Sequence, residues 1–250
     1  MKDNKKRIPG PVRVCVSVAF WLGIWELAAV LIGKELLFPT PFTVLEHLGG
    51  LVVTGEFWIK TGVSLARVMG GFLIGCLAGT ALAVPAAFSE WGDAVISPLV
   101  RVIRSTPVAS FIILVMLWTG YGFVPVVTSA LMAAPVVFLN VLEGIRETDR
   151  KLLEVARVYR FGRKKTLRLI YLPSVRPYFL AGAVTSLGLA WKAGIAAEVL
   201  CLPRNAIGGE IYYSKLYLET ADLFAWTAVV ILLSFVLEKI TGKVIGRKKE

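Results

Sequence analysis

Histidine and cysteine are nearly missing from this sequence. His47 is the only histidine, and the three cysteines, Cys15, Cys76 and Cys201, lie far apart. A metal site needs several converging ligands. With no CxxC pair and no Cys/His cluster, neither zinc nor a disulfide framework is expected. The cysteines read as buried small apolar residues, and His47 as a surface residue. Also missing is the Gly-x4-Gly-Lys-Ser/Thr loop whose backbone amides cradle phosphate. Thr241-Gly242-Lys243 lacks both the upstream glycine and the following hydroxyl. The chain therefore supplies no ATP hydrolysis and is expected to hold no cofactor. No histidine lies in an apolar run, and no Ser/Lys or paired-carboxylate constellation stands out. That argues against an enzyme working within a membrane.

Charge is scarce too: 18% of the 250 residues, against the usual ~25%. Apolar residues make up 56%, and the mean hydropathy is +0.72. A net charge of +11 could suit nucleic acid or an anionic membrane surface. Long charge-free runs decide for the bilayer, and no nucleic-acid partner is expected.

A membrane-spanning helix needs roughly 20 mostly apolar residues. Val12–Gly33, Val68–Ser89, Ser174–Leu200 and Asp222–Lys239 meet or approach that length. Thr106–Leu142 is uncharged throughout and would reach about 55 Å as one helix. That overshoots the hydrocarbon core, and Thr119-Gly120-Tyr121-Gly122 with Pro125 divides it in two. The sequence thus predicts an all-α, polytopic membrane protein, a single transmembrane domain over residues 1–250. Its six spans fall at about 12–33, 64–88, 106–119, 123–142, 174–200 and 222–239. The basic tail before the first span resembles a signal peptide, but the span is long and lacks a small-x-small cleavage site. An uncleaved first helix is expected.

Six spans put both termini on one side. With that side cytoplasmic, 22 of the 28 lysines and arginines lie inside and four outside, with Arg67 and Lys192 in spans. This is the inside-positive pattern. The expected location is a bacterial cytoplasmic membrane, multi-pass, with both termini cytoplasmic.

Nine of the inside charges fall in one loop, 144–173, and a tenth, Arg176, just beyond it. Leu152, Val155, Ala156 and Tyr159 recur at i, i+3, i+4, i+7, one helical face. Gly162 interrupts, Leu167, Ile170 and Tyr171 resume a stripe, and Pro173 and Pro177 mark where the fifth span begins. A cytoplasmic helix–turn–helix is predicted. Periodicity alone leaves two uses open, lying on lipid or docking on a soluble partner.

The segment resembles the Glu-Ala-Ala cytoplasmic loop of binding-protein-dependent ABC importer permeases. Glu154, Ala156, Ile170, Leu172 and Pro173 match that motif. Val155 replaces the middle alanine, and Arg160 occupies the glycine position. Gly162, two residues on, is the expected turn. Further likeness runs through Phe38-Pro39-Thr40-Pro41, Arg104-Ser105-Thr106-Pro107, Gly188-Leu189-Ala190-Trp191-Lys192 and Ala197-Glu198. Together these are similar to the nitrate/sulfonate/taurine branch. The resemblance implies that the loop is a coupling element seated on a separate ATPase subunit, which binds and hydrolyses ATP. Glu154, Ala156, Arg160, Gly162, Arg163, Lys164, Lys165, Leu172 and Pro173 are the implied contacts. It also implies an extracytoplasmic solute-binding protein, a second permease copy and alternating access for a small solute, anionic or like a thiamine precursor.

Gly71, Gly75 and Gly79 repeat every four residues, which permits close helix packing. They are expected to pack within the chain or against the second copy. Lys192 and Glu198 are ionisable groups within a span, hence candidates for the translocation pathway. Helical geometry puts them on different faces. Arg67, at a span boundary, reads as snorkelling. Pro203–Gly209 reads as an outside loop. An ion-coupled secondary transporter is the alternative. It would be expected to show more intramembrane acids and repeated halves.

Overall fold

The computed structural model describes residues 10–246. Among them all regular structure is helical. Five helices are long and apolar enough to cross a membrane, or six if one bent pair counts as a span. The chain forms two compact units, one built from the chain up to Trp58 with Glu210–Val229, the other from Ile59–Gly209 with the chain from Val230 onward.

The first unit opens with α1 (Gly10–Ile32), which Gly33 ends in the left-handed conformation at φ 63°. Pro39-Thr40-Pro41 then starts α2 (Pro41–Val52). The Thr40 hydroxyl accepts from the Thr43 N–H at 3.2 Å, and Pro41 fills the first turn, where no N–H is needed. Trp25, Phe38 and Phe224 form an aromatic cluster with centroids 5.5–6.4 Å apart, and Trp25 Nε1 donates to the Pro39 carbonyl at 3.0 Å. His47 Nδ1 lies 2.7 Å from Asp222 Oδ1. Phe57 stacks on Trp226. Cys15 is exposed, against expectation, whereas Cys76 and Cys201 are buried.

In the second unit α3 (Gly55–Phe88) continues from its own N-terminal turns, nine residues ahead of the predicted span. Glu56 and Lys60 hide this start from a hydropathy reading. The third span is corrected as well. The predicted stretch 106–119 holds α5 (Val108–Trp118), but α4 (Glu90–Ser105) precedes it, bent by 106° at Thr106-Pro107, and only the pair together is long and apolar enough to count as a span. The eleven residues of α5 reach only about 16 Å. Proline disfavours a helical residue before it and ends the ladder. In α4, Ser89 caps the start and Arg146 grips Asp93 at 2.8 Å. Trp91, Val95, Leu99 and Val102 leave an exposed apolar stripe along it.

The core is the packing of α6 (Val124–Arg146) on α9 (Leu172–Cys201) and of both on α3. Ser129 Oγ donates to the Ala190 carbonyl at 3.0 Å. Gly71, Gly75 and Gly79 face Val126, Ala130 and Ala134 of α6. A Cβ at Gly75 would lie 2.6 Å from the Ala130 carbonyl oxygen and 2.7 Å from Ala133 Cβ. The glycines therefore serve packing inside the chain, the first of the two expected uses. Gly75→Ala should cost about 1–3 kcal/mol through overpacking, read as a lowered thermal unfolding midpoint in detergent. An unchanged midpoint would show that the helices can part without loss.

Candidate functional site

The segment after α6 begins with Asp149, whose Oδ1 accepts from the Lys151 N–H at 2.8 Å and starts α7 (Arg150–Val158). Ala156 is the buried anchor of α7. The rest of the predicted apolar face is open: Leu152 is 47% exposed, Val155 48% and Tyr159 72%. Val158 adds to it at 79%. Glu154 and Lys151 are exposed beside this surface. The periodicity was legible in sequence, but its direction was not, since the apolar face looks outward rather than into the core.

The turn that follows is a Schellman motif. The Phe161 N–H reaches the Ala156 carbonyl at 2.8 Å, and the Arg160 N–H reaches that of Arg157 at 3.0 Å. Arg160 sits at φ 49°, the left-handed position usually given to glycine. The expected role of Gly162 is thus corrected. It has φ −67° and ψ 159°, and a Cβ there would meet nothing within 4 Å. The turn stands at Arg160, where the family motif places its glycine, and an arginine bears the strain. Lys165 Nζ lies 4.0 Å above the Phe161 ring and packs the far side of the turn.

The second arm is not a separate helix. It comprises α8 (Arg163–Thr166), a π-helical turn over Leu167–Tyr171, and α9, forming one helical run of 39 residues. Pro173 does not stop it. Proline has no N–H and its ring crowds the carbonyl four residues back. The widened turn just ahead, where the Leu172 N–H bonds to the Leu167 carbonyl, accommodates both. Ile170 is buried and Tyr171 packs edge-on against Phe88 at 5.3 Å. Leu172 is exposed. Arg163, Lys164 and Lys165 are exposed at the start of the run. A cleft of about 490 Å³ lies between the arms, lined by Ala156, Arg157, Arg160, Phe161 and Tyr171 among others. Of the residues named for coupling, Glu154, Arg160, Gly162, Arg163, Lys164, Lys165, Leu172 and Pro173 are exposed, whereas Ala156 is buried.

Glu198 and Lys192 part company. Glu198 is fully buried. Its Oε2 accepts from Ser64 Oγ at 2.7 Å and from the Gly208 N–H at 3.3 Å. Arg67 Nη1 approaches Oε1 at 3.7 Å. Ser64 also accepts from the Ile207 N–H at 2.9 Å. Arg67 does not snorkel; its Nη2 donates to the Arg204 carbonyl at 2.9 Å. The carboxylate thus joins α3, α9 and the start of α10 (Ile207–Leu216). It holds the 202–206 segment, where Leu202 and Asn205 take left-handed backbone. Glu198 faces the protein interior and not an open passage. Ser64 and Arg67, three residues apart on one helical face, and the Gly208-Gly209 pair were the unused sequence signals. Lys192 is exposed and lines a separate cleft of about 270 Å³ with Ser234 and Glu238 of α11 (Thr220–Gly246). Beside it the buried Trp191 donates to the Val230 carbonyl at 3.1 Å. No group of three or more potential metal ligands occurs among the described residues.

A match to the family described as the binding-protein-dependent transport system inner membrane component covers residues 71–244. The chain belongs to this family. The permease is 30% identical over 90% of its length to the aliphatic sulfonates transport permease protein SsuC of Bacillus subtilis, covering 81% of that protein. It is 25% identical to the taurine transport system permease protein TauC of Escherichia coli, covering 90% of this chain and 82% of the relative. These relatives, with a nitrate import permease protein, place it in the nitrate, sulfonate and taurine branch. Its fold is shared with a chain of a bacterial ABC transporter that imports the acidic polysaccharide alginate. There the TM-score is 0.67 at 18% identity, over 96% of each chain. The permease is a transport component and not an enzyme.

Two expectations follow for the purified protein. Arg160→Gly should stabilise the turn by about 1 kcal/mol by removing a left-handed non-glycine residue. This reads as slower amide exchange at Phe161. Gly162→Ser should shift it by less than about 0.5 kcal/mol. Glu198→Ala should cost about 3–5 kcal/mol by orphaning Arg67 and its neighbours, and Glu198→Gln less, since an acceptor oxygen remains. Thermal unfolding in detergent measures both; equal losses would assign the hold to charge rather than to hydrogen bonding.

Proposed function

We propose that this permease forms the translocation pathway of an ATP-driven importer, passing a small anion by alternating access. The observation that supports this most is the outward face of α7 and α8. Leu152, Val155, Val158 and Tyr159 are exposed beside Glu154, Arg163, Lys164 and Lys165. An apolar centre rimmed by charge suits a groove on a soluble partner. In a family of transport-system membrane components, that partner is the ATPase subunit. The chain has no phosphate-binding loop of its own, so ATP is bound and hydrolysed there.

On this reading 144–173 is cytoplasmic, as are both termini, in accord with the basic excess on that side. An extracytoplasmic binding protein delivers the solute to the other side, and a second copy of the permease completes the passage. The names of the relatives, sulfonates and taurine, favour a small oxyanion. Lys192 is the sequence-predicted pathway residue that stays open to solvent or substrate. Ion-coupled transport finds no support, since Glu198, the acid that a relay would need, is enclosed by Ser64, Arg67 and Gly208.

Co-expression with its ATPase and binding protein should give a complex that imports taurine or an alkanesulfonate only with ATP. Glu154→Lys should lower uptake at least about tenfold, as a charge reversal at a docking surface does, with the complex hydrolysing ATP uncoupled from transport. Uptake that persists without ATP and follows an ion gradient would sink the reading.

A further inference from the structure

A groove of about 420 Å³ runs between α6 and α9, apart from the Lys192 cleft. Leu131, Pro135 and Leu189 contribute to its apolar walls. Its polar groups are Arg104, Asn140 and Thr185. Arg104 stands at the end of α4, just before the 106° bend, and is exposed. The bend directs the chain away and leaves the arginine at the groove. Asn140 Nδ2 is engaged with the Val136 carbonyl at 2.8 Å. Thr185 Oγ donates to the Ala181 carbonyl at 3.1 Å, so the donor left for an anion beside the guanidinium is the second Nδ2–H of Asn140.

We infer that Arg104 and the second amide N–H of Asn140 form an anion station in this groove, with Thr185 on its wall, one that takes the oxyanion head of a small organic sulfonate while its alkyl body lies on the apolar walls. The inference rests on the importer reading. Three features point to this class of occupant. The groove holds one cation and no carboxylate, so its charge calls for an anion. A guanidinium offers a planar fork that matches two oxygens of a sulfonate. The walls are otherwise aliphatic and long enough for several methylenes. Thr185 also belongs to an exposed ridge on α9 with Leu189 and Lys192, spaced i, i+4, i+7. Lys192 thus lies about 10 Å along the same face from Thr185. An anion leaving one cation meets the other on a continuous surface.

Thiol labelling tests the station without relying on uptake. Thr185→Cys is placed in a Cys15→Ser chain, because Cys15 is exposed while Cys76 and Cys201 are buried. The chain is kept in membranes with its ATPase and binding protein. Rates are compared for 2-sulfonatoethyl methanethiosulfonate and its uncharged hydroxyethyl analogue, each normalised to a free thiol. The anionic reagent should gain about tenfold from the guanidinium. Arg104→Gln should abolish the gain and leave the neutral rate unchanged, and Arg104→Lys should keep part of it. Butanesulfonate should slow labelling only when a cation is present at 104. A cysteine at 185 unreactive to both reagents would mean that lipid or a second copy covers the groove, and the station would be wrong. A ratio indifferent to Arg104 would overturn it too. ATP-driven uptake by the unsubstituted chain is measured in parallel. Uptake without the Arg104-dependent ratio removes the station alone; the ratio without uptake removes the importer reading alone.

Discussion

Close backbone approach along α6 is the constraint on which the rest of the second unit depends. Lipid tails give helices no hydrophobic reason to associate, so contact must come from dispersion and short polar bonds. Small residues on α3 let its backbone meet that of α6, and Ser129 ties α6 to α9. Once these three helices are fixed, their ends are fixed too. One end presents α7 and the basic start of the long helical run. Toward the other, Glu198 lies enclosed with Ser64, Arg67 and the first turn of α10.

The two polar features solve opposite problems. At Glu198 a charge is buried, and the cost of desolvation is offset by a guanidinium, a hydroxyl and a backbone N–H at once. On α7 apolar side chains are left in the open, a condition that a lone chain gains nothing from and a docking partner relieves. One feature secures the fold of a single chain. The other makes sense only in a larger assembly.

Much of this was legible in the residues, and the failures have physical causes. Hydropathy found the apolar stretches, but a window average cannot see that Thr106-Pro107 turns the chain through a right angle and leaves α5 short. Charges at Glu56 and Lys60 concealed the first turns of α3, since helical hydrogen bonding continues past the apolar run. The preference for glycine moved the expectation to Gly162, but the family motif has its glycine where Arg160 stands, and the turn after α7 is there. The backbone there is stabilised by two carbonyl acceptors, Ala156 and Arg157, and these outweigh the propensity of one residue. Lys192 and Glu198 were noticed for the same reason, yet burial separates them, and pattern alone does not report what a buried acid is paired with.

The π-helical turn over Leu167–Tyr171 has a further consequence, one of angular phase. A π turn inserts one residue into the helical count, and each residue of an α-helix advances the azimuth by about 100°. Everything beyond Tyr171 is therefore rotated by that amount relative to the basic residues at 163–165. Which ridge of α9 looks outward, and hence where Thr185, Leu189 and Lys192 point, is indexed by this single widened turn. Deleting one residue there would restore an ordinary α-helix with the same ridge facing outward, whereas a straight α-helix that kept every residue would present a different side of itself.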